Sequence, residues 1–159
     1  MPQTSRDFLR HALATLAYRA AKPLRDAPGG FHSFRAGGDS RSAGQILAHL
    51  ADLMDWALSM ARGAPQWKDS QPLPWSQGVT HFFAALKAFD DYLGSAEPLQ
   101  APPEKLLQGP IADALTHVGQ IALLRRLAGA PVRGENYYLA GITPGRVGRG
   151  QAPPAKEFD

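Results

Sequence analysis

Two imidazoles and one carboxylate are the side chains of this sequence best placed to do chemistry: His49, Asp113 and His117. His49 falls in a series with Ile46, Leu53, Trp56 and Met60, which recur at intervals of three, four or seven, as one helix face does. An imidazole on such an inward stripe needs a hydrogen-bond partner or a metal, because burying it unpaired costs a few kcal/mol. Asp113 and His117 are four residues apart, hence one turn apart on a second helix face. Ile121 and Leu124 continue that face and predict that it, too, points into a core. Two helices meeting on these faces would gather the three side chains at one point. The set suits a borderline divalent ion (zinc, nickel, iron or manganese), and three protein ligands leave coordination positions open. An ion of sufficient Lewis acidity would acidify a water bound there. The same D-x-x-x-H spacing also describes a structural His–Asp pair, and spacing alone leaves both readings open.

Other chemistries are excluded or find no support. The 159 residues contain no cysteine, so disulfides, zinc–thiolate sites and a protein thiol nucleophile are absent. No Ser-His-Asp order, P-loop or GxGxxG occurs; the Gly-rich run Gly145–Gly150 has neither a strand before it nor a helix after it. Net charge is +3, and the late basic residues Arg125, Arg126, Arg133, Arg146 and Arg149 lack the dense stripe with interleaved aromatics that nucleic-acid binding uses. No nucleic-acid partner is expected. No apolar run approaches the roughly 18 residues of a membrane span, and the N-terminal stretch has charges where a signal peptide would be apolar. These features, with the lack of cysteine, predict a cytoplasmic protein without a membrane partner.

The elements that must position the trio follow from periodicity and punctuation. An all-α fold is expected, a four-helix bundle over residues 1–150 as one domain, with residues 151–159 as a flexible tail. The first helix spans about Ser5–Lys22, with Phe8, Ala12, Leu16 and Leu9, Leu13, Ala20 on a wide apolar face, and Pro23 ends it. Ser42 and Gln45 form a capping box that starts the second helix, which runs toward Gly63. Ser76 is the expected cap of the third, ending at Gly94. A short turn around Glu104–Leu107 precedes a fourth helix that begins at Pro110 and stops at Gly129. The Gly- and Pro-rich remainder is irregular, yet Tyr137, Tyr138, Leu139 and Ile142 are apolar enough to predict that it packs back on the bundle.

The stretches RSAGQILAHLADLMDW and DALTHVGQIALLRRLAG resemble the two signature helices of the DinB-like superfamily, which includes the YfiT-type metal proteins and thiol-dependent S-transferases. The resemblance extends from Ser42 to about Val147 and includes the closing segment GENYYLAGITPGRVG. It implies a DinB-like four-helix bundle with His49 as first metal ligand and His117 as last. Asp113 stands where the family has its middle histidine, and Val118 where an arginine is usual. It further implies transfer of a small-molecule thiol to an electrophile, or metal-assisted hydrolysis, and often a homodimer, for which exposed apolar residues of the first helix would serve. The competing expectation is a non-catalytic structural or dimerising bundle in which the trio only pins two helices together.

Secondary candidates surround the trio. Gln120, three residues after His117, would orient a water or cap a helix end, and Asp52, three after His49, would accept from an imidazole N–H. Trp56 is a pocket wall or plain core. His32 is the pocket candidate among the remaining histidines, with His81 expected toward water and His11 without a partner at ligand spacing. Tyr137 and Tyr138 would cover the cavity or pack the tail.

Overall fold

In the computed structural model, which describes residues 4–158, helix α1 (Ser5–Leu24) begins where Thr4 and Asp7 form a reciprocal capping box. It buries Leu9, Leu13, Leu16, Ala17 and Ala20, and leaves Phe8 in solvent. Phe8 therefore lies off the apolar face expected of it, because the buried stripe follows the Leu9 register. Pro23 sits inside the last turn rather than ending the helix.

Helix α2 (Ala43–Ala61) is started by the Ser42–Gln45 capping box, Gln45 N–H donating to Ser42 Oγ at 3.2 Å and Ser42 N–H to Gln45 Oε1 at 2.8 Å. Beyond its end, Gly63 takes a left-handed φ of 80°, a conformation that favours glycine. Gly44, in the first turn of α2, lies hard against His32: a Cβ there would stand 2.9 Å from the His32 carbonyl oxygen and 2.7 Å from its ring. Helix α3 (Trp75–Leu93) starts just before Ser76, the residue expected to cap it, with Pro74 as the preceding residue and no side-chain cap.

The last helical stretch departs most from expectation. A turn of helix α4 (Pro103–Leu106) runs through a π turn (Leu107–Ile111) into helix α5 (Ala112–Leu127) without a break. Pro110 lies inside the π turn rather than opening the helix. A proline has no N–H to give and crowds the carbonyl four residues back; the wider π turn relieves that conflict and lets the chain continue.

The four long helices pack around one core, α1 against α3 and α5, and α2 against α3 and α5. This is an all-α arrangement compatible with a helical bundle. Among the described residues there is no strand, only an isolated bridge between Glu135 and Glu157. No described helix is long and apolar enough to cross a membrane.

Two polar clusters tie the chain's distant parts together. Arg125 is buried and donates to the carbonyls of Pro23 (3.0 Å), Arg25 (2.7 Å) and Ala130 (2.9 Å). It thus satisfies oxygens at the ends of α1 and α5 that no helical N–H reaches. Glu135, also buried, accepts from Tyr18 Oη at 2.6 Å and pairs with Lys22 at 2.9 Å, and Lys22 reaches Glu157 at 3.1 Å. The stretch after α5 lies on α1 through Glu135 and Tyr137 and buries Val147 in the core, whereas Tyr138 is 94% exposed and Leu139 is also in solvent. Within residues 151–158, Lys156 O accepts from Asn136 N–H and Phe158 N–H donates to Gly134 O.

Candidate metal centre

His49 lies in the middle of α2, and Asp113 and His117 lie in the first two turns of α5, immediately after the π turn. The α2–α5 packing brings them together. His49 Nε2 and His117 Nε2 each stand 3.4 Å from Asp113 Oδ2, and the three donor atoms lie within 4.8 Å of one another. The two rings are edge-to-face with centroids 4.7 Å apart.

The trio sits at the rim of the core rather than inside it. The buried stripe of α5 is Ala114, Val118, Ile121 and Leu124, so Asp113 and His117 are offset toward its edge. The side chains of His49 and His117 are 16% and 12% exposed, and that of Asp113 is 47% exposed. The expectation that the Asp113 face points wholly inward is therefore corrected. Solvent reaches the carboxylate, and the imidazoles lie just beneath it.

The donor set and spacing fit a divalent ion. Bonds of about 2.0–2.1 Å at tetrahedral angles separate neighbouring donors by about 3.3–3.4 Å. The two His–Asp separations of 3.4 Å match that edge, and the three donor atoms lie within 4.8 Å of one another. The His49–Asp113 contact is at the long end for an N–H···O bond, so the same spacing serves a weak hydrogen bond as well as two donors around an ion. Burial holds the His49 pKa below its ordinary value, His117 and Arg41 push the same way, and the Asp113 hydrogen bond only partly opposes them. A neutral His49 keeps a lone pair for a cation.

Gln120 completes the arrangement. His117 Nδ1 lies 2.7 Å from Gln120 Oε1. A carbonyl oxygen only accepts, so Nδ1 is the donor of this bond, which leaves Nε2 as the ring nitrogen that faces Asp113. Of the two roles expected for Gln120, orienting water or capping a helix, neither matches this bond, although its spacing of three from His117 was visible.

The other candidates take different places. Asp52 is buried but accepts from Ser70 N–H at 2.8 Å and Ser70 Oγ at 2.7 Å, so it anchors the 62–74 loop and not the His49 ring. That loop brings Trp67, which stands edge-on to His49 at 5.5 Å and to Trp56 at 5.6 Å. Trp67 is a wall of the site that periodicity could not reveal, because it lies outside any helix. His32 packs on Gly44 at the start of α2, and His81 lies 3.5 Å from Asp55 and is partly exposed. Tyr137 packs on Tyr18 and beneath the Arg19 guanidinium, whereas Tyr138 lies in solvent, so neither covers the trio.

On the flank formed by α5 and the loop before α2, a cleft of about 370 Å³ is lined by Arg41, Ile46, His117, Gln120, Leu123 and Leu124. Comparison of the chain with protein-family models, curated proteins and solved structures gives no match.

Proposed function

We propose that this chain holds one divalent cation through His49, Asp113 and His117, and uses it in thiol transfer or hydrolysis of a small molecule, as its resemblance to the DinB-like superfamily implies. The observation that carries the reading is the convergence of two imidazole nitrogens on one carboxylate oxygen at 3.4 Å, at a rim that solvent reaches. A closed structural site would surround the ion with protein ligands, whereas three ligands beside a cleft leave room for a reactant. When bound, such an ion supplies Lewis acidity, lowering the pKa of a coordinated thiol or water. The chain's own part is positional. Gln120 fixes the His117 tautomer, Trp67 shields one flank of His49, and Asp113 contributes negative charge that offsets the cation. With no cysteine in the sequence, a reacting sulfur comes from a cosubstrate.

The second reading is a polar clasp in which Asp113 pins α2 to α5 without an ion. It draws on the His49–Asp113 contact, and the exposure of Asp113 weighs against it. Protein purified without chelators should carry about one equivalent of a transition metal by elemental analysis. His49→Ala and His117→Ala should lose it while keeping Tm within a few degrees. A metal-free wild type that also fails to take up added Zn²⁺ or Ni²⁺ would remove the metal reading, and a large Tm loss in both variants would favour the clasp. A screen of low-molecular-weight thiols against electrophiles then separates transferase from hydrolase.

A further inference from the structure

The cleft beside the trio combines one cation with an apolar floor. Arg41 is the one Lys or Arg among its described lining residues, and Ile46, Leu123 and Leu124 supply hydrocarbon. Arg41 is exposed and makes no hydrogen bond or ion pair among the described residues. Its backbone is nevertheless fixed. Ser42, next in sequence, is locked into the capping box of α2; Ser40, just before it, bonds Gly37 and accepts from the Arg35 guanidinium. Leu123, six residues after His117 on α5, lines the cleft and is 55% exposed. A volume of about 370 Å³ is at the small end of ligand sites, which run from about 300 to 1,000 Å³.

We infer that this cleft is a subsite for a small organic monoanion, whose carboxylate pairs with Arg41 while its hydrocarbon body lies on Ile46, Leu123 and Leu124. One guanidinium matches one carboxylate in a bidentate pair. A phosphate dianion would call for further cations that the cleft does not offer. Because His117 and Gln120 line the same cleft, the bound molecule lies beside the metal centre, and the inference rests on the metal reading for its catalytic meaning, though not for binding.

Hexanoate and hexan-1-ol, which differ in the charged head, are suitable probes by calorimetry, on chelator-treated and on zinc-loaded protein. Hexanoate should bind the chelator-treated wild type about two- to fivefold more tightly than the alcohol, the scale of a solvent-exposed ion pair. Arg41→Gln should erase that preference, Arg41→Lys should keep part of it, and Leu123→Ser should weaken both probes alike. Equal binding of the two probes, or no binding of either, overturns the subsite. Hexanoate binding that needs zinc and ignores Arg41 also overturns it, since the carboxylate then ligates the ion and the metal reading survives. Arg41-dependent binding in a protein that takes up no metal supports the subsite and removes the metal reading instead.

Discussion

Replacing Gln120 by alanine isolates what holds His117 in place. The side chain is exposed and its contact with the site is a single bond, 2.7 Å from Oε1 to His117 Nδ1. Losing that acceptor has two effects on the imidazole. The neutral ring no longer favours the tautomer with its lone pair on Nε2, and it regains rotational freedom that binding must then remove. Partners of this kind are worth about 10–100-fold in metal affinity, or about 1.4–2.7 kcal/mol. Folding stability should hardly change, because the position is at the surface. The assay is titration of metal-free protein with Ni²⁺ near pH 7.5, followed by calorimetry and by tryptophan emission, which Trp67 at 5.5 Å from the His49 ring should report as quenching. Gln120→Glu should retain or exceed wild-type affinity, since a carboxylate accepts more strongly from Nδ1–H. Wild-type affinity in Gln120→Ala, beside a His117→Ala variant that binds nothing, would refute the orienting role. Indifference of metal binding to both substitutions would refute the site.

Three further outcomes follow from other contacts. Gly44→Ala should lower Tm by about 2–10 °C in calorimetry, because its new methyl meets a backbone oxygen 2.9 Å away that cannot yield, and overpacking costs about 1–3 kcal/mol; an unchanged or raised Tm would show that the turn at His32 gives way. Asp52→Ala should free the 62–74 loop, since it removes the acceptor of both Ser70 bonds, and limited proteolysis should then cut there while Trp67 emission shifts; equal protection in both proteins counts against the anchor. For metal-free protein, the unfolded chain protonates His49 near its ordinary pKa of 6.5, whereas burial holds the folded value lower. The unfolded state therefore binds more protons between those two values, so stability falls as pH drops below 6.5, with no such slope above it. Urea midpoints of wild type and His49→Asn should consequently converge as pH falls through that window, and parallel curves would contradict it.

The start of α2, which rests on local hydrogen bonds, was legible, whereas the Thr4–Asp7 box of α1 was not read and the cap expected at Ser76 is absent. Ser42 and Gln45 are close in sequence and act on each other, so the start of α2 could be read directly, as could the glycine stops at 63 and 129. Starts that depend on a nonstandard turn were not: Pro110 carries the usual mark of a first helical residue, and only the π turn shows why the helix runs through it. The trio could be named because D-x-x-x-H places Asp113 and His117 one turn apart on one helix face and His49 follows an apolar stripe. Its solvent exposure could not, since the register of α5 against the core is set by Ala114 and Val118 packing, one residue off the Asp113–His117 line. Trp67 and Arg41 escape any periodic reading because each lies in a loop, brought to the site by bonds such as Asp52–Ser70 and by the cap of α2. Arg125 stood in the sequence only as one of several late basic residues, and its burial is decided by carbonyls about a hundred positions earlier.

That last contact has a bearing on how the chain is made. The carbonyls of Pro23 and Arg25 find their donor only when Arg125 arrives. A nascent chain emerging from the ribosome would carry α1 with these carbonyls unmet by Arg125 and with its α5-facing side uncovered until α5 is made, even after α3 is in place. Interactions so distant in sequence are costly to close and slow to form. Chaperone demand should therefore peak before α5 is released, and chains truncated ahead of residue 125 should be the aggregation-prone ones.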